Sequence, residues 1–107
     1  MLWLVLGDFN EITALEEKFG RDDRKMHQMV AFCDALTNCT LLDLGFIGPL
    51  FTWTNCRVNG DLVRVRLDRG VANPEWTLCF PNTIVRHIVV ISSDHLGLLV
   101  EFEPRLA

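Results

Sequence analysis

Apolar positions follow different spacings in different parts of the chain. They run unbroken from Leu2 to Leu6, the pattern of a strand covered on both faces, and stop at Gly7 and Asp8. Residues 12 to 24 turn polar and charged, which predicts a surface loop. Met26, Met29, Val30, Cys33, Leu36 and Thr37 then fall at spacings of three and four, predicting a helix that buries this stripe, with Asp22 or Asp23 as its cap. From Leu41 the segments shorten to strand length between turn residues: Leu41 to Leu44, Gly45 to Pro49, Phe51 to Asn55. Asn59 and Gly60 signal a turn. Leu62 to Asp68 alternates, with Val63, Val65 and Leu67 on one face and Arg64, Arg66 and Asp68 on a face expected to be wet. Asn73 before Pro74 reads as an N-cap with proline at the first helical position, so a short helix carrying Trp76 is expected before Pro81. Thr83 to Ile91 and Leu98 to Phe102 read as two strands around the loop 92–97.

A length of 107 residues allows one domain, and a chain half hydrophobic with 22% charged residues has the composition of a packed globular protein. Ten basic and 14 acidic residues give a net charge of -4, which argues against a generic basic nucleic-acid coat. Basic charge is nevertheless concentrated: residues 57–87 hold Arg57, Arg64, Arg66, Arg69 and Arg86 against Asp61, Asp68 and Glu75, a net of +2. A surface that tracks a phosphate backbone needs such a patch, and a solvated strand face would show the same pattern. No apolar run reaches the roughly 18 residues of a membrane span, since Arg86 and His87 interrupt the C-terminal one. Met1 to Leu6 lacks the basic start of a signal peptide, so a soluble, intracellular protein without membrane partners is expected. Cys33, Cys39, Cys56 and Cys79 form no C-x-x-C pair and are expected to be reduced thiols. The Asn38-Cys39-Thr40 sequon is read as coincidental spelling.

Candidate chemistry lies where predicted strands end. In Gly7-Asp8-Phe9-Asn10 a glycine lets the backbone turn off the strand and presents a carboxylate beside an amide. The carboxylate suits Mg²⁺ or a proton, and the amide can donate to a phosphate oxygen or accept from a water. Asp94 and His95 occupy the loop before the last strand, and Asp68 ends an alternating one. A histidine oriented by one carboxylate beside a second, metal-binding one is a usable general base.

Gly7-Asp8-Phe9-Asn10, Phe51-Thr52-Trp53, Arg66-Leu67-Asp68-Arg69, Asn73-Pro74-Glu75-Trp76 and Ser93-Asp94-His95, in this order and spacing, resemble the endonuclease/exonuclease/phosphatase superfamily. More narrowly, they are similar to the endonuclease domain of plant LINE-type (non-LTR) retrotransposons. The resemblance covers about Leu2 to Phe102. It implies an α/β fold and a Mg²⁺- or Mn²⁺-dependent phosphodiesterase that nicks DNA by attack of water on a phosphate, in the nucleus where it is functional. His95 would be the general base or a phosphate-contacting imidazole, Asp68 would set its tautomer, Asp8 would bind metal or move a proton, and Asn10 would place water or phosphate. Asp94 would sit at the metal end, while Trp53 and Arg69 would line the DNA path, the alternatives being a core tryptophan and a surface arginine.

The departures shape this expectation. In the family the Gly-Asp-x-Asn strand lies near the middle of the domain, after a half that supplies a glutamate, an asparagine and a tyrosine. Residues 1–103 are therefore expected to be the C-terminal half of a four-layer α/β sandwich, with one mainly antiparallel sheet, one long and one short helix, and a tail at 104–107. Such a fragment would bind Mg²⁺ weakly and be inactive alone. Val65 stands where relatives carry glutamate, and Gly97 where a proline often follows Ser-Asp-His. A sugar-phosphate or phosphoinositide phosphatase of the same superfamily, and a non-catalytic remnant, are the alternatives.

Overall fold

The computed structural model describes residues 1–57, 60–91 and 93–105; Asn59 of the expected turn, Ser92 of the expected loop and the last two tail residues lie outside this set. The fold is α/β. Among the described residues, eight strands, β1 (Leu4–Asp8), β2 (Lys18–Phe19), β3 (Leu42–Asp43), β4 (Trp53–Thr54), β5 (Arg64–Val65), β6 (Asp68–Ala72), β7 (Ile84–Ile88) and β8 (Gly97–Glu101), accompany two α-helices, α1 (Met26–Asn38) and α2 (Pro74–Cys79). Three small antiparallel sheets replace the single sheet expected: β1-β6-β3, β2-β5-β4 and the hairpin β7-β8. The division has a local cause. The predicted strand 62–68 breaks at Arg66 and Leu67, where the chain leaves the second sheet at β5 and enters the first at β6.

Strand β6 is the centre of the first sheet and all five of its residues are buried. Gly70 makes this possible, because a Cβ there would stand 2.9 Å from side-chain carbons of both Leu6 and Val85. The main core joins Ile12, Met29, Val63, Val65 and Leu67, so the expected apolar face of residues 62–68 is the buried one. The opposite face is a correction: Arg64 is exposed, but Arg66 and Asp68 are buried against charged partners rather than wet. Helix α1 forms where the spacing predicts, yet Lys25 is its N-cap and no side-chain bond caps it, contrary to the role expected of Asp22 or Asp23. Helix α2 begins as expected, with the Asn73 side chain accepting from Trp76 N at 3.1 Å. Arg105 N donates to Cys79 O at 2.8 Å, so part of the expected tail is tied back to α2. All four cysteines are free.

The expected burial of the α1 stripe is incomplete: Met29 is buried, but Met26 and Val30 are 61% and 48% exposed. Val89, Ile91 and Leu78 are also open to solvent. The dimensions explain this. The chain is a slab 55 × 34 × 17 Å with a radius of gyration of 15.1 Å, against about 13 Å for a compact domain of this length. A slab this thin has too little interior to cover its apolar side chains. The purified chain is therefore expected to enhance the fluorescence of 8-anilinonaphthalene sulfonate under native conditions. Fluorescence no higher than that of a compact folded control contradicts this.

Candidate active site

The register of β1 on β6 places Asp8 directly opposite Asp68. Two like charges facing each other across an antiparallel pair destabilise it unless something positive lies between or beside them. Here that group is an imidazole: His95 Nδ1 lies 2.8 Å from Asp68 Oδ2. Oxygens of Asp8 and Asp68 and a ring nitrogen of His95 all fall within 4.8 Å of one another.

Each member is held by its surroundings. The Asp8 carboxylate accepts from Asn10 N at 2.7 Å; Gly7, still within β1, takes φ 150°, which glycine permits, and Asn10 takes φ 54° where the chain turns off the strand. Asx side chains favour this left-handed turn geometry. Asp68 is set by Thr52, whose buried hydroxyl accepts from Leu67 N and Asp68 N at 2.9 and 3.0 Å. His95 hangs from β4: it bridges Trp53, and Leu96 N donates to Thr52 O at 2.7 Å. A single residue, Thr52, thus touches the backbone on both sides of the dyad. Its motif is visible in the sequence, and a core hydroxyl between two aromatic residues is the signal that it must bond to something.

Asp68 governs the imidazole. Its hydrogen bond raises the His95 pKa above the ordinary 6.5, opposed by partial burial and aided by the charges of Asp68, Asp8 and Asp94. With Nδ1 engaged by Asp68, Nε2 is the nitrogen left to exchange a proton with a reactant.

The remaining expected site residues fall elsewhere. Asp94 is not part of the close cluster; its Oδ2 accepts from Trp53 Nε1 at 3.1 Å. Trp53 therefore braces the Asp94 loop while also lining a cleft of about 470 Å³ with Pro49, Leu50, Phe51, Arg64 and Leu96. Asn10 is exposed beside Asp8. Arg69 is a correction. It is 0% exposed and pairs with Glu17 and Asp43 at 2.9 Å, so it cannot line a DNA path. Arg66 pairs with the same two carboxylates and Arg86 with Glu101, which leaves Arg57 and Arg64 as the exposed arginines without an ion pair in the stretch 57–87, among the described residues.

Glu17 and Asp43 carry no candidate role in the sequence pattern, yet both are central here. Burial pushes the Glu17 carboxyl up, but hydrogen bonds from Arg69, the Thr13 backbone and Arg66, with the Arg69 charge, hold it down at about 2. Asp43 is likewise lowered, burial being outweighed by Arg66, Gly45 N and Arg69.

The donor set fits a hard divalent cation in part. Asp8 and the free oxygen of Asp68 are suitable ligands, while the Asp68 hydrogen bond occupies one imidazole nitrogen. No family model matches the chain, and no curated protein or solved structure is significantly similar to it.

Proposed function

We propose that Asp8, Asp68 and His95 form the acid–base and metal-binding part of a phosphodiesterase site acting on DNA. The observation that carries this reading is the in-register opposition of Asp8 and Asp68 with His95 Nδ1 on Asp68. Asp68 holds the Nδ1 proton and stabilises the imidazolium, so Nε2 is the nitrogen that takes a proton from an attacking water. Asp8, with the second oxygen of Asp68, would hold Mg²⁺ or Mn²⁺. Such a cation supplies charge neutralisation at the phosphate. Asn10 stands beside Asp8, where its amide can orient the water or a phosphate oxygen, and exposed Arg57 and Arg64 can meet the DNA backbone.

Two carboxylates are few for a cation that takes six oxygens in a near-octahedral shell. Alone, the chain is therefore read as half of a sandwich domain that binds Mg²⁺ weakly and does not nick DNA. The glutamate-bearing half would be its missing partner. The test is a fusion of this chain to the N-terminal half of a plant LINE-type endonuclease domain, assayed on supercoiled plasmid with Mg²⁺. The fusion is expected to nick, while the chain alone and the His95→Ala fusion are not. Nicking by the chain alone contradicts the half-site reading; fusion nicking that survives His95→Ala contradicts the role of the dyad.

A further inference from the structure

Asp68 and His95 meet across a joint between two sheets. Asp68 opens β6 in the first sheet, and His95 is bridged to Trp53 in β4 of the second. The chain itself crosses from the second sheet to the first at Arg66 and Leu67. Arg66 and Arg69 stand on either side of Asp68, and both are held by the same two carboxylates. Arg66 donates to Glu17 at 2.7 Å and to Asp43 at 2.9 Å; Arg69 donates to each at 2.9 Å. Glu17 immediately precedes β2 of the second sheet, and Asp43 lies in β3 of the first. The four side chains close a ring of alternating charge whose two acids come one from each side of the joint.

We propose that this ring is a positioning clamp: Glu17 and Asp43 set the angle between the two sheets at the crossing, and with it the placing of Asp68 against His95. The proposal deepens the reading above and rests on it only in taking Asp68 and His95 as the working pair. The guanidinium fork gives the clamp direction as well as attraction, because each arginine is engaged through two nitrogens. Backbone bonds tie the ring to the crossing itself: Arg66 N donates to Glu17 O at 2.8 Å, and Arg69 Nη2 to Arg66 O at 3.2 Å. A core that needed only stability would do as well with apolar side chains in these places. It also leaves Arg66 Nε and Arg69 Nε buried without partners, a cost that orientation can justify.

The test reads the hydrogen-bonded Nδ1 proton of His95 as a downfield resonance in protein labelled with ¹⁵N-histidine and assigned with His95→Ala. His87 supplies an internal reference, since its Nδ1 lies 2.6 Å from Pro49 O in the β7 region. Glu17→Gln and Asp43→Asn keep the shape of each side chain while removing one charge from the ring. In both variants the His95 resonance is expected to disappear or move upfield by more than its linewidth, while that of His87, which also feels the charges of Asp43 and Arg66, remains present as the marker of an intact fold. Arg86→Gln, which removes a surface pair, should move neither. A His95 resonance unchanged in both variants overturns the clamp alone. Loss of both resonances in both variants assigns the ring to general folding and also overturns it. A wild-type spectrum without the His95 resonance contradicts the dyad on which the inference rests.

Discussion

Arg69→Ala is expected to abolish cooperative unfolding or to lower stability by roughly 3–5 kcal/mol, read from the urea midpoint. Arg69 is fully buried, and its removal leaves Glu17, itself buried, and the more exposed Asp43 to share one arginine. The size follows from the price of an unpaired buried charge, which is a large part of a typical folding free energy of about 5–15 kcal/mol. The acid dependence has a definite sign. Glu17 is held at about 2 against an ordinary 4.5, a depression equivalent to on the order of 3 kcal/mol. That contribution is present above pH 4.5 and is lost as the pH falls through about 2. Arg86→Ala, which breaks an exposed pair with Glu101, is the control and should change stability by about 0.5 kcal/mol or less. Equal effects of the two substitutions would contradict the buried ring.

Asp68→Asn is the second large effect. In the fusion, which is expected to nick DNA, it should lower the rate by about 10²- to 10⁴-fold, the range that a positioned general base contributes. The amide preserves the size of the side chain but removes the charge that raises the His95 pKa and stabilises its protonated form. Since only the neutral imidazole can accept a proton, wild-type nicking should rise with pH as His95 loses its proton. Asp94→Asn is expected to act more mildly, because Asp94 accepts from Trp53 and stands outside the close cluster. Equal losses in the two variants would contradict the separate roles assigned to these carboxylates.

Local patterns were legible where local physics sets the outcome. The Asn73 cap, helix α1 and the β7-β8 hairpin form in the stretches that spacing and turn residues indicate, although β7 ends at Ile88 rather than Ile91. Asp8, Asp68 and His95 could be singled out at strand ends and in the loop before the last strand; the antiparallel register brings Asp8 to Asp68, and the bridge to Trp53 brings His95 to them. Arg66 and Arg69 could not be read correctly. Alternation says which side of a strand a residue occupies, but not that Glu17 and Asp43, distant in sequence, would turn that side into an interior. The same limit applies to Asp94, whose partner Trp53 is 41 positions away. The three-sheet division depends on a break at Arg66 and Leu67 inside a segment whose hydrophobic period is uninterrupted.

The dyad is tested most directly by titrating the His95 imidazole in metal-free buffer, by hydrogen–deuterium exchange at its ring carbon resolved by peptide mass spectrometry. The wild-type midpoint should lie above 6.5 and fall towards that value in Asp68→Asn. A wild-type midpoint at or below the ordinary value, or one that Asp68→Asn leaves in place, would show that Asp68 does not govern His95.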